Sequence, residues 1–287
     1  MKVVILTHSY DRHYFFCNRV IEKTNVVGVI TGGKPVNRSF PETVRRKLRR
    51  SEILYTLRNR ALSLAFRKYI KMLAREKAAA EESQFGGSQK EFEDKYSHLL
   101  LAHVDKSHRS INDPYYVDLV QEAKPEIIVV MGTCMIGSKI ISSAPHVLNI
   151  HTGLSPYYRG GNTNLWPIVE NDYGFFGVTI HEMSLGIDSG DIIYTAQPEV
   201  YPNDTFGRIN CRCIKIGTNL MVKAIQQIEK GSCMTVKQWT KGKLFLGKHM
   251  NGYVAYKYFK KKAGFFHTYC KLAEEGKLPD LRVIRHD

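Results

Sequence analysis

Apolar residues fall along this chain mainly as short unbroken runs separated by amphipathic stretches. Lys2–Thr7 reads as a buried strand with no alternation, Arg12–Lys23 as the helix after it, and Asn25–Thr31 as a second apolar strand ended by Gly32-Gly33. This β-α-β opening predicts a parallel sheet with a Rossmann-like start. No G-x-G-x-x-G follows the first strand, so a dinucleotide fingerprint is absent. Further on, Asp113 and Pro114 read as N-cap and first residue of a helix running to Ala123. Glu126–Met131 is a strongly apolar strand, Ile136–Ser142 a short helix and Val147–Ile150 the next strand. Asn162–Glu170 then reads as a helix, Phe175–His181 as an alternating strand, Asp191–Ala196 as a strand and Thr205–Lys230 as a long amphipathic helix.

Two segments break this rhythm. From Arg45 to Lys77 there are twelve Lys or Arg, while Leu62, Phe66, Tyr69, Ile70 and Leu73 keep a helical spacing. The pattern predicts a basic helical insertion over about 42–80. Two readings stay open: a solvated helix pair packed on the domain, or a contact surface for anionic lipid or nucleic acid. Ser83–Gln89 reads as a loop and Glu91–Val104 as a helix. After Gly231 come two short strands, Met234–Trp239 and Lys243–Leu246, and a tail in which Tyr253, Tyr256, Tyr258, Phe259, Phe265 and Phe266 alternate with lysines. The expected organisation is a catalytic domain over 1–200, then a long helix and a small C-terminal subdomain over 201–287.

Composition and charge narrow the partners. The chain has 287 residues and a formal net charge of +15, which favours anionic ones: phosphates, folate-type polyacids, nucleic acid or an acidic membrane surface. The six cysteines include no C-x-x-C pair, so no zinc site is expected, and reduced thiols fit a cytoplasmic protein. The first apolar run is too short for a signal peptide, and no run reaches the length of a membrane span. A cytoplasmic protein is expected, with peripheral membrane contact through the basic helices and a homodimer as further expectations.

The candidate chemistry gathers between Asn149 and Asp191. Asn149 and His151 lie two apart at the C-terminal end of a strand, so they share a face, and ligands of open α/β sheets bind outside that end. An Asn amide donates to a developing oxyanion, and an imidazole stabilises the same oxygen or moves a proton. Asp188, in a turn-rich loop, can orient or charge the His. No Ser or Cys sits in a nucleophile elbow, so direct acyl transfer between two bound substrates fits better than a covalent acyl-enzyme.

These residues lie in an ordered set of motifs: Asn149-x-His151, Leu154-x-Pro156-x-Tyr158-Arg159-Gly160, Gly177-Val178-Thr179-x-His181 and Asp188-x-Gly190-Asp191-Ile192. With Asn112-Asp113-Pro114 and Lys124–Val130 upstream, the set resembles the formyltransferase family that uses N10-formyltetrahydrofolate, well over about residues 100–197 and loosely at the first strand. The resemblance implies a Rossmann-like formyltransferase fold and a catalytic set of Asn149, protonated His151 and Asp188. It also implies a pterin pocket lined around Met131, Gly132, Thr133, Gly186 and Ile187. Arg159 and Gly160 are candidates for substrate binding or for fixing the loop; His181 either adjoins the pocket or is a satisfied strand histidine.

The resemblance leaves the acceptor open. Thr7-His8-Ser9-Tyr10 lacks the Gly-Thr-Pro strand end of the methionyl-tRNA enzymes, Thr152–Pro156 departs from their Ser-Leu-Leu-Pro, and the C-terminal portion is short for their β-barrel. The first expectation is an amino sugar carried on a nucleotide. Methionyl-tRNA is the alternative, and a catalytically inactive binding module a distant third.

Overall fold

The computed structural model describes residues 1–32, 50–104 and 110–286. Of the basic insertion, residues 42–49 lie outside the described residues, as does Gly33 at the end of the second apolar run. A seven-stranded sheet forms the frame, in the order β3-β2-β1-β4-β5-β7-β8. Its strands are β1 (Val3–Thr7), β2 (Val26–Gly32), β3 (Leu100–Val104), β4 (Ile127–Met131), β5 (His146–His151), β7 (Val178–Glu182) and β8 (Ile192–Ala196). Pairing is parallel from β3 to β5, then β7 runs antiparallel to both β5 and β8. The expected α/β, mostly parallel, Rossmann-like sheet is therefore present.

The unbroken apolar runs have a direct physical reading. Successive side chains of a strand point to opposite faces, and here both faces are covered. Val3, Ile5, Val29, Ile127 and Val129 enter one hydrophobic cluster; Val4, Leu6, Ile30, Ile128 and Val130 enter the other. The first cluster is completed by α1 (Asp11–Ile21), α3 (Arg67–Phe85), α8 (Phe206–Glu229) and α9 (Gly252–Glu274). The second is closed by α5 (Pro114–Glu122) and α6 (Ser138–Ile141). Phe175–His181, expected to alternate, is narrower as a strand and buried on both sides from Val178 to His181, because β7 lies inside the sheet.

Asp113 accepts from the Tyr115 N–H at 3.1 Å and Pro114 follows it, as the sequence predicts. Thr205 caps α8 by accepting from the Arg208 N–H. The stretch Glu91–Val104 is a correction. Only α4 (Ser88–Tyr96) and one 3-10 turn are helical, and Leu100–Val104 becomes edge strand β3. Its backbone satisfies the open edge of β2, and Leu101 packs where a side chain on Gly28 would stand. The loop expected at Ser83–Gln89 shrinks to Gly86-Gly87 between two helices. Asn162–Glu170 is helical only as α7 (Trp166–Glu170), and Met234–Trp239 makes a single bridge, Val236 to Ile192.

The insertion packs on the domain. α2 (Arg50–Ala65) and α3 meet at Phe66, whose ring lies 5.5 Å from Tyr253 and 5.0 Å from Tyr256 of α9. The aromatic tail is thus a helix whose Tyr258, Phe265 and Phe266 are buried in the main cluster. α8 and α9 share that cluster with the sheet, so no break in the core follows residue 200. No helix among the described residues is long and apolar enough to cross a membrane. A small two-stranded sheet pairs β6 (Tyr158–Gly160) with β9 (Lys243–Phe245) and ties the tail to the site loop.

Phe176 is 1% exposed, and its ring centroid lies about 6 Å from those of Phe265, Phe266 and Tyr269. Phe176→Ala is expected to cost about 3–5 kcal/mol through lost burial and the cavity left behind. Urea denaturation checks this; a change below about 1 kcal/mol would show that α9 is not integral to the core.

Candidate active site

The cleft lies outside the C-terminal ends of β4 and β5, where the sheet turns from parallel to antiparallel. Asn149 pairs directly with His181 across β5 and β7. Directly opposed residues of antiparallel strands bring their side chains together, and Asn149 Nδ2 lies 3.1 Å from His181 Nε2. His181 Nδ1 is 2.7 Å from the Glu182 carbonyl oxygen, which only accepts, so Nδ1 carries the proton and Nε2 accepts from Asn149. The second N–H of the amide remains for the cavity.

His151 closes β5. Its Nε2 lies 3.1 Å from the Tyr158 carbonyl oxygen and therefore donates to it, with Thr163 Oγ1 at 3.4 Å. Thr163 is fixed in turn by donating to the Thr152 carbonyl at 2.6 Å. On the other ring edge, His151 Nδ1 stands 3.4 Å from Asp188 Oδ2, and His181 Nε2 stands 3.6 Å from Asp188 Oδ1. The Gly160 N–H donates to Asp188 Oδ2 at 2.8 Å. One carboxylate thus sits between two buried imidazoles and a backbone donor.

The loop that carries Asp188 is held from outside. Asp188 has φ 44°, a left-handed conformation that Asp tolerates better than most side chains. Gln238 Nε2 donates to the carbonyls of Asp188 and Gly190 at 2.8 and 2.9 Å. A Cβ on Gly190 would stand 1.8 Å from the Glu182 carbonyl oxygen, so no side chain fits where the loop closes on β7. Gly160, with φ 95°, is similarly required: a Cβ there would meet the Phe245 carbonyl oxygen at 2.1 Å.

Charge follows from this packing. Burial raises the Asp188 carboxyl, but His151 and His181 in their charged forms, with the Gly160 N–H, outweigh it and hold it well below the usual carboxylate range. Burial lowers His151 from its ordinary value against the pull of Asp188.

The cavity holds about 350 Å³. Asn149, His151 and Asp188 line it, with Gly132, Thr133, Gly160, Gly186 and Ile187. Three expected site residues fall elsewhere. Met131 is buried in the core beneath the cleft, where its carbonyl accepts from Thr7. Arg159 turns its guanidinium away to donate to the Lys241 carbonyl at 2.8 Å, because β6 aims that side chain at the β9 side. His181 stands behind Asn149 and Asp188 rather than in the cavity wall.

Residues 75–225 match the model of the formyl transferase family. That span covers more than half of the chain and includes Asn149, His151, His181 and Asp188. The chain belongs to the formyl transferase family. Among curated relatives, the methionyl-tRNA formyltransferase of Syntrophus aciditrophicus (strain SB) is 30% identical over 121 residues, 42% of this chain and 38% of that protein. The methionyl-tRNA formyltransferase of Halothermothrix orenii is 33% identical over 131 residues, 45% of this chain and 41% of that protein. The matched part of this chain thus spans less than half the length of those relatives. Among solved structures, an N-formyltransferase from Helicobacter canadensis, in complex with folinic acid and dTDP-3-aminofucose, superposes with a TM-score of 0.54 at 17% identity. It covers 88% of this chain and 73% of its own, and the likeness is one of fold.

Several positions at this site were not legible beforehand. Tyr158 acts through a backbone carbonyl, which no side-chain pattern reports. Gln238 lies fifty residues from the loop it pins, in a stretch that reads only as strand. Asn164, whose amide bridges the Gly177 N–H and the Thr152 carbonyl, was hidden inside an expected helix.

The sign of the Asp188 shift sets an acid response. The folded chain keeps this carboxyl below the roughly 3.9 of an unfolded chain. The stability it contributes is complete above that value and is lost as the pH falls through the folded one. Urea denaturation from about pH 5 to about pH 3 is expected to show a shallower acid loss in Asp188→Asn than in the wild type. Equal slopes would contradict the assignment.

Proposed function

We propose that this protein transfers a formyl group from N10-formyltetrahydrofolate to a primary amine. The observation that supports it most strongly is the convergence of a cavity-facing Asn149 amide with the His151–Asp188 pair at one end of a single cleft. Cys134 and Ser184 line that cleft, but the side chains they meet are the hydroxyls of Ser110 and Ser189 rather than a base, so the acceptor amine attacks the formyl carbon directly. Asn149 donates its free N–H to the oxygen as negative charge develops. The amine proton passes to the His151–Asp188 edge, where the carboxylate favours a proton on Nδ1. The same proton reaches N10 as the carbon–nitrogen bond to tetrahydrofolate breaks. Gly132, Thr133, Gly186 and Ile187 are proposed to line the pterin end, their small or backbone surfaces allowing a flat ring to approach.

For the acceptor, an amino sugar carried on a nucleotide is the favoured reading. The aromatic tail, the best candidate for stacking on exposed bases, spends its rings in the core and against α2 and α3. The Helicobacter canadensis protein, which binds such a nucleotide sugar, shares the fold over most of this chain. Methionyl-tRNA is the second reading and rests on the curated relatives; the basic stretch Arg45–Lys77 would be its RNA grip.

With saturating donor, a nucleotide-linked amino sugar is expected to trigger tetrahydrofolate release and methionyl-tRNA is not; the reverse result selects the second reading. Release with neither acceptor, nor with small amines, sinks formyl transfer. Asn149→Ala is expected to lower kcat by about 10²–10³ with a smaller effect on KM, because the amide acts on charge formed in the transition state. An unchanged kcat removes Asn149 from the mechanism.

A further inference from the structure

Helix α2 has two opposite faces with apolar residues, and the domain uses only one of them. At about 100° per residue, Tyr55, Asn59 and Leu62 fall on one face. That face is docked. The Tyr55 hydroxyl and the Asn59 amide donate to the Lys248 carbonyl at 3.3 and 3.0 Å, and Asn59 accepts from the Asn251 amide at 3.1 Å. The Leu62 carbonyl oxygen lies so close to Gly252 that a Cβ there would meet it at 2.7 Å.

Leu54, Leu57, Ala61 and Leu64 share the other face, with Ile53 beside them. Leu54, Leu57 and Leu64 are 61%, 56% and 74% exposed. A continuous stripe of exposed leucines on a helix that is already packed on its far side marks a contact surface.

Charge decides what fits that surface. Arg58 and Arg60 border the stripe, one on each side. From Glu52 to Arg75 the chain carries six Lys or Arg and one acidic residue, Glu52, whose spacing from Tyr55 and Asn59 puts it on the docked side. Arg58, Arg67, Lys68, Lys71 and Arg75 are exposed. The partner must therefore be apolar at its centre and anionic around it. A second copy of this chain fits poorly, because a two-fold contact lays the stripe on itself and sets the arginines of both helices against each other. RNA satisfies the charge but not the leucines, since its bases stack on aromatic rings. An anionic bilayer offers both parts: acyl chains beneath a layer of phosphate charge.

We propose that the leucine stripe of α2 docks this protein on an anionic lipid surface. The helix lies in the plane of the headgroups, with Leu54, Leu57 and Leu64 at the acyl boundary and Arg58 and Arg60 at the phosphates. It lies on the bilayer rather than crossing it, having 16 residues and cations within them. The contact does not rest on the formyl-transfer reading. It is nonetheless tied to the cleft: Lys248, on which α2 is docked, follows β9, and β9 pairs with β6, whose Gly160 N–H donates to Asp188.

The test is co-sedimentation of the full chain with vesicles at about 0.15 M salt, which screens the general attraction of a basic protein. Vesicles of phosphatidylcholine alone are compared with phosphatidylcholine and phosphatidylglycerol at roughly two to one. Wild type is expected to bind only the second. Leu54→Ala, Leu57→Ala and Leu64→Ala together are expected to weaken that binding at least about tenfold. Arg58→Gln with Arg60→Gln is expected to do the same, at least about tenfold. Alanine preserves the helix, so the urea midpoint of the leucine variant is expected to stay at the wild-type value. Leu64→Ala alone, at the most exposed position, is expected to give a smaller loss in the same direction. No binding of wild type to the anionic vesicles, or equal binding by the triple leucine variant, would overturn the proposal. A wild-type dimer that the leucine variant dissociates would assign the stripe to a second copy, and tRNA binding lost with the leucines would assign it to RNA; either result overturns the lipid contact.

Discussion

One carboxylate holds this site together. Asp188 stands between His151 and His181, accepts from the Gly160 N–H and is held from behind through Gln238. A buried carboxylate is costly unless it is paired and hydrogen-bonded, and here each partner comes from a different element. His151 ends β5, His181 lies in β7, Gly160 belongs to the β6 loop and Gln238 to the C-terminal region. Satisfying that one group fixes the separation of all four. It also explains why the site lies where β5 changes from a parallel to an antiparallel neighbour: only there can a residue two positions from His151 face a strand histidine directly.

The architecture behind the site was legible for a simple reason. A strand buried on both faces must be apolar at every position, and Val3–Leu6 and Ile127–Met131 announce that without ambiguity. β3 did not, because it is an edge strand with only one well-buried residue, Val104, and Leu, Ala and His serve helix or strand equally well. The tail misled in another way. Aromatic residues interleaved with lysines suit a stacking surface or a packed helix alike, and the decision came from Phe66 and Tyr69, nearly two hundred residues earlier.

For the site, side chains that act by their own chemistry were visible in the motifs, and contacts made through backbone were not. Asn149, His151 and Asp188 were named in advance and meet in one cleft. Arg159 was named because a charge beside a glycine in a motif suggests a ligand, yet the structure spends it on the Lys241 carbonyl.

In the proposed reaction the acceptor and the donor meet in the cleft between Asn149 and Asp188, so the fate of the formyl carbon is the most direct test. With the donor labelled in its formyl carbon by ¹³C, NMR should show the label arriving as an N-formyl amide on the acceptor amine. Asp188→Asn should show little transfer. Label appearing as free formate, with no formylated acceptor for any amine supplied, would contradict direct transfer through this cleft.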